Sequence, residues 1–187
     1  MKKFLLPSLK LTLVFIVICS ILYPLLIAGV AKMAPGAGKG ETLVVNGKVV
    51  GYANIGQKFT ADKYFSSRPS AVDYNAAGSA GSNKGPTNPD YLKQVQDRID
   101  SFLVHNPAIK KEQIPSELVT ASGSGLDPDI SYEGAIVQVE RIAKTRNIAS
   151  DKITALINQQ LQKPLLSLMG PSRINVLKLN IELDKIK

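Results

Sequence analysis

The sequence predicts a single N-terminal transmembrane helix followed by a small α+β domain, an antiparallel sheet with helices packed on one face. Three observations carry this. Leu11–Ala31 runs for 21 residues without a charge. Asn46-Gly47 separates two β-branched runs, the strongest short-range hairpin signal because both residues accept positive φ. Three amphipathic helical segments then precede a C-terminal stretch in which apolar and polar residues alternate.

The uncharged run, LTLVFIVICSILYPLLIAGVA, would make about 30 Å of helix, enough to cross a hydrocarbon core. A cleaved signal segment is the competing reading. Its apolar region is about 7–15 residues and is followed by a small-residue cleavage site, whereas here the run is longer and Lys32 follows it directly. Cys19 does not read as a lipidation site, since bulky Ile18 precedes it and apolar residues continue beyond it. Pro24 is expected to kink the helix, which membrane helices tolerate. Lys2, Lys3 and Lys10 lie before the run, against Lys32 and Lys39 shortly after it. Positive charge is held on the cytoplasmic side. The expected order is a basic cytoplasmic segment (1–10), a transmembrane helix (11–31), a Gly-rich tether (32–40) and a soluble domain (41–187) outside the cell membrane.

Strands are expected at about 42–45 and 48–54, flanking the Asn46-Gly47 turn. Asn88, Pro89 and Asp90 open a helix with cap, first-turn proline and dipole-matched acid. Leu92, Val95, Ile99, Phe102 and Leu103 form its apolar face, and it should stop near Asn106, before Pro107. A short helical turn is expected at Pro115–Val119. Ser131 caps a second long helix, with Ile130 and Ala135 as a staple and Ile136, Val139, Ile142 and Ala143 inward. Ser150-Asp151 opens a third, ending before Pro164. Leu177, Leu179, Ile181 and Leu183 alternate with Lys178, Asn180, Glu182 and Asp184, which predicts a final strand with one wet face.

Charge and composition exclude several functions. The net charge of +8 falls to +3 once the five lysines before Glu41 are set aside. No dense basic stripe with interleaved aromatics is present, so no nucleic-acid partner is expected. One Cys and one His leave no disulfide framework and no structural zinc set. Gly38-Lys39 lacks the Ser/Thr of a phosphate loop, and Met33 stands where its first Gly should be. Ser124 lies between Gly123 and Gly125, but a nucleophile elbow needs Gly two residues to either side, where Ser122 and Leu126 stand. His105, beside Asn106-Pro107, reads as a solvated helix C-terminus. Asp127 and Asp129 read either as acid–base or cation-binding carboxylates or as Asx-turns before a helix.

The stretch Tyr64–Pro89, YFSSRPSAVDYNAAGSAGSNKGPTNP, carries neither helical nor strand periodicity. An unstructured loop of about 25 residues is uncommon in a compact domain. Aromatic anchors (Tyr64, Phe65, Tyr74) and the helix start at its end argue for order. A second Gly/Ser loop, Thr120–Ser131, leads into the next helix. Arg68-Pro69-Ser70 reads as an anion site, or as a device in which Arg68 donates to backbone carbonyls and pins the loop. Gln138 reads equally as a ligand contact or as a partner for loop backbone. Ordered loops without catalytic groups suit docking onto a partner.

These motifs resemble the C subunit of the bacterial Kdp potassium-transporting ATPase across nearly the whole chain. The matching blocks are Ile55–Phe59, Tyr64–Ala71, Tyr74-Asn75, Gly81–Asn83, Gly85–Pro89, Leu118–Pro128 with Gln138, Arg141–Ala143 and Arg146, and Asn175–Asn180. Each is weak alone, but their order and spacing are specific. Asp129 stands where the family often has His, Ala80 where Gly is usual, and Lys178 where Glu is common.

The resemblance implies a non-catalytic subunit of an ATP-driven, high-affinity potassium uptake complex in the bacterial inner membrane. Its partners would be a channel-like potassium-binding subunit, a P-type ATPase subunit, a small membrane subunit and the lipid bilayer. The family is described as a catalytic chaperone that raises the ATPase subunit's affinity for ATP. Its Ser122–Asp127 block and Gln138 have been likened to an ABC-type signature. No tightly bound cofactor is implied, and ATP enters only through that role. The charge argument places the domain outside, away from ATP, where it would brace the potassium subunit. Candidate docking or nucleotide-contact residues are Arg68, Pro69, Ser70, Asn83, Ser122, Gly123, Ser124, Gly125, Leu126, Asp127 and Gln138. Two other readings compete: a free-standing anchored envelope domain that binds a ligand or cell-wall polymer, and an anchored hydrolase using Ser124 or the Asp pair.

Overall fold

The computed structural model describes residues 2–164, 166 and 169–186. The chain divides into two compact units, one ending at Thr42 and the other beginning at Leu43.

The first unit contains a continuous helix in three parts: α1 (Lys2–Val17), a π-helical turn (Ile18–Leu22) and α2 (Tyr23–Ala31). It is long and apolar enough to cross a membrane. The proline ring of Pro24 cannot donate to, and crowds, the carbonyl four residues earlier. The chain answers by opening one turn, with Tyr23 N donating five residues back to the Ile18 carbonyl. Ser8 and Thr12 hydroxyls donate to the Leu5 and Ser8 carbonyls within the helix, so these polar groups need no water.

In the second unit, β1 (Thr42–Val45) and β2 (Lys48–Tyr52) form the expected hairpin, with Asn46 at φ 50° and Gly47 at φ 76°. β2 ends two residues earlier than the sequence predicts. Gly51 leaves room for the Gln57 amide, which donates to the Val50 carbonyl at 3.0 Å, and the chain then turns away to meet Asn175.

α3 (Pro89–His105) starts behind Asn88, whose Oδ1 accepts from Tyr91 N at 3.0 Å. 3-10 turns at Lys111–Gln113 and Ser116–Leu118 follow. β3 (Asp129–Ile130) leads into α4 (Tyr132–Ile136), capped by Ser131 Oγ on Gly134 N at 2.9 Å. α5 (Val139–Arg146), α6 (Ser150–Gln160), β4 (Ile174–Asn175) and α7 (Val176–Leu183) complete the unit. β3 pairs antiparallel with β4, Asp129 opposite Asn175 and Ile130 opposite Ile174. The domain therefore combines helices with two separate two-stranded antiparallel sheets. Its core gathers Phe65, Ile130, Ile142, Ile153, Ile174 and Leu179.

Two expectations require correction. The stretch predicted as a final strand is the helix α7. Asn175 caps it, accepting from Lys178 N at 3.0 Å. Val176, Leu179, Asn180 and Leu183 are buried at helical spacing. The apolar alternation matches a strand only if Asn180 faces water, and Asn180 is 2% exposed. The helix predicted after Ser131 is also broken, between α4 and α5. Gln138 Nε2 takes the Gly134 carbonyl at 2.8 Å, the acceptor that Gln138 N would use in a continuous helix, and Gln138 N turns to Ala135 at 3.1 Å.

Candidate docking site in the ordered loops

The long loop and the Gly/Ser loop form one knitted layer. The Ser122 N–H donates to the Pro69 carbonyl at 3.1 Å, and the Gly56 N–H to the Leu126 carbonyl at 2.7 Å. Ser79 Oγ donates to the Ser124 carbonyl at 2.9 Å. Ser70 Oγ accepts from the backbone of Val72 and Tyr74, at 3.1 and 2.9 Å. Gly125 has φ 68°, and a Cβ there would meet the Ala80 carbonyl at 2.7 Å and Val72 Cγ2 at 2.6 Å. Glycine is thus required twice over, by backbone conformation and by close approach.

The hydroxyls of the Gly/Ser block turn onto their own backbone. Ser122 Oγ accepts from Gly125 N at 2.9 Å, and Ser124 Oγ from Leu126 N at 3.1 Å. Asp127 Oδ1 accepts from Asp129 N at 3.0 Å, the expected Asx-turn. Arg68 pins the layer as one of its two readings held, but through a side chain and not backbone carbonyls. Its Nη1 meets Asp127 Oδ2 at 2.8 Å, and both side chains are about a quarter exposed. Arg68 Nε is buried without a hydrogen-bond partner. The Arg68 carbonyl accepts the Tyr74 hydroxyl, and burial pushes that phenol up to about 12. The structure thus brings Arg68, Pro69, Ser70 and Ser122–Asp127 together. Asn83 is exposed, with φ 52°, and joins none of these bonds.

Gln138 lies fully buried at the hub of a second network. Its Oε1 accepts from Ser66 N, Ser66 Oγ and Arg141 Nη2, each at 2.8 Å. Of its two readings, the partner for loop backbone is the one its geometry fulfils. Arg141 extends the network, donating to Asn106 Oδ1 at 2.9 Å, to the Tyr64 carbonyl at 3.0 Å and to the Asp62 carbonyl. Burial pulls its guanidinium below the usual value, and nearby Asp62 opposes this. Arg146 reaches the Lys63 carbonyl at 2.7 Å and Asp184 at 2.6 Å, and stacks over the Tyr64 ring with 4.9 Å to the centroid. Asn180 clamps Phe65, accepting from its N–H at 2.9 Å and donating to its carbonyl at 3.0 Å. Asn175 donates to the Ala53 carbonyl at 2.7 Å.

The holding roles of Arg141, Arg146, Asn175 and Asn180 escaped the sequence reading. The available signal was polar residues bordering apolar helical faces, as with Gln138 and Arg141 at i and i+3. His105 is the exposed last residue of α3, as expected, and its Nδ1 also meets Asp62 Oδ1 at 2.8 Å. Among the described residues, no cluster of His, Cys, Asp and Glu could hold a metal ion.

Among the described residues, one helix long and apolar enough to cross a membrane accompanies a small α+β unit of side-chain-pinned loops. The chain matches the family described as K+-transporting ATPase, c chain, over residues 5–185. It is 56% identical to the potassium-transporting ATPase KdpC subunit of Flavobacterium psychrophilum, covering 96% of each chain. It is 55% identical to that of Flavobacterium johnsoniae, over 99% of this chain and all of the relative, and 50% identical to that of Bacteroides fragilis. The chain belongs to the KdpC family, the c chain of potassium-transporting ATPases.

Proposed function

We propose that this chain is a non-catalytic accessory subunit of a high-affinity potassium uptake pump, needed for assembly of the complex, and that its domain braces the channel-like potassium subunit from outside the cell membrane. The supporting observation is the knitted loop layer. Two long loops are held largely by side chains, those of Arg68, Gln138, Arg141 and Asn180, which suits a rigid docking surface. The Ser122–Asp127 block spends its hydroxyls on its own turns, a poor arrangement for a nucleotide cradle. The charge bias at the candidate span supports an N-terminus inside.

Sidedness is the test. With Cys19→Ser in place, Ser150→Cys puts one thiol on the exposed start of α6. Labelling of intact cells by an impermeant maleimide is the expected result. Labelling only after lysis would overturn the outside location, and would leave the raising of ATP affinity on the ATPase subunit as the role to pursue.

A further inference from the structure

A cleft of about 300 Å³ opens between α3 and the Phe59–Ser67 segment. Its apolar wall includes Phe59, Phe102 and Leu118. Its basic groups are Arg98, Arg141 and His105, against a single acid, Asp62. Asp62 is already engaged by His105 at 2.8 Å and faces Arg141 at 4.0 Å. Arg141 spends its donors on Asn106, Asp62, Tyr64 and Gln138. Arg98 differs. Its Nη1 donates to the Val119 carbonyl at 3.1 Å, and among the described residues its other guanidinium nitrogens make no hydrogen bond. Ser101 and His105 follow Arg98 at i+3 and i+7, on the same face of α3.

We propose that this cleft is a docking site for an acidic side chain flanked by apolar residues on a neighbouring subunit of the complex. The inference rests on the accessory-subunit reading. Charge complementarity selects the occupant. The unused edge of Arg98 offers a fork to a carboxylate, Ser101 Oγ adds a donor, and the phenylalanines take the apolar flank. The volume is at the small end of ligand sites, about 300–1,000 Å³, and suits one anchoring side chain better than a nucleotide. The walls are already fixed by Arg141 and Gln138, so little ordering opposes docking.

Arg98→Gln also removes a contact to Val119, so Ser101→Asp is the sharper variant. It alters an exposed helix position and sets a carboxylate beside Arg98 that repels the incoming one. Val104→Asp, on a residue 78% exposed and outside the cleft, adds the same charge elsewhere. The full complex is purified by a tag on another subunit, and release of this chain is followed in a salt wash. Ser101→Asp should speed release at least tenfold, and Val104→Asp should match the wild type. Equal release from Ser101→Asp and wild type, or equal loss from both variants, would overturn the proposal. Failure of the wild-type chain to co-purify would remove the subunit reading, and this inference with it. Phenylacetate is titrated onto the full chain in detergent as a second arm. Sub-millimolar binding that Ser101→Asp abolishes, with the complex unaffected, would assign the cleft to free carboxylates instead.

Discussion

Removing the amide of Gln138 strips partners from Ser66 N, the Gly134 carbonyl and one edge of Arg141 at once. Each buried polar group left unpaired costs about 1–3 kcal/mol. Gln138→Ala is therefore expected to lower unfolding stability by about 3 kcal/mol, measured by denaturant titration. A loss below 1 kcal/mol would mean that the loops are held by other means. Tyr74 gives a pH-dependent counterpart. Its proton is held by burial in the folded state, with an ionisation near 12 against 10.0 for a free phenol. Its stabilising contribution is complete below pH 10.0 and vanishes as the pH rises through about 12. Ultraviolet titration should show a late tyrosinate phase that Tyr74→Phe removes. The melting temperatures of the two proteins should also converge over that interval.

At the scale of the element, what could be read from the sequence followed from local chemistry. The hairpin turn at Asn46-Gly47 and the caps at Asn88 and Ser131 stand where their residue types placed them. These signals depend on φ preference and on one nearby N–H, which the chain itself supplies. α7 was not readable in this way. Its apolar residues fit a period of 2 and, with Asn180 counted inward, a period of 3.6. The deciding contact is to Phe65, which lies 115 positions away. The break between α4 and α5 likewise depends on a side chain taking a backbone acceptor. Asn180→Ala should cost about 3 kcal/mol, because Phe65 would lose both backbone partners in a dry site. Glu182→Ala, which removes only an exposed pair with Lys185, should change stability by less than about 0.5 kcal/mol. Equal effects from the two variants would contradict the helical face described for α7.

At the scale of the whole molecule, the candidate membrane helix and the loop blocks were readable because each is carried by contiguous residues. The candidate site was readable as a set of loops but not as an arrangement, because its polar anchors come from α5, β4 and α7. The subunit reading predicts that deleting this chain abolishes potassium uptake at micromolar potassium. Growth of the deletion strain under potassium limitation is the check, and undiminished uptake would refute the reading. The side-chain pinning of the loops has a further consequence, in the order of events as the chain folds. A loop held by neighbouring strands can gain its backbone bonds along with them. Here the partners for the Tyr64 carbonyl, both backbone groups of Phe65 and the Ser66 N–H stand far along the chain, at Arg141, Asn180 and Gln138. These backbone groups are satisfied only after that part of the chain has folded. The backbone of Tyr64–Ser66, made earlier on the ribosome than Gln138, Arg141 and Asn180, must therefore wait for them before it can settle.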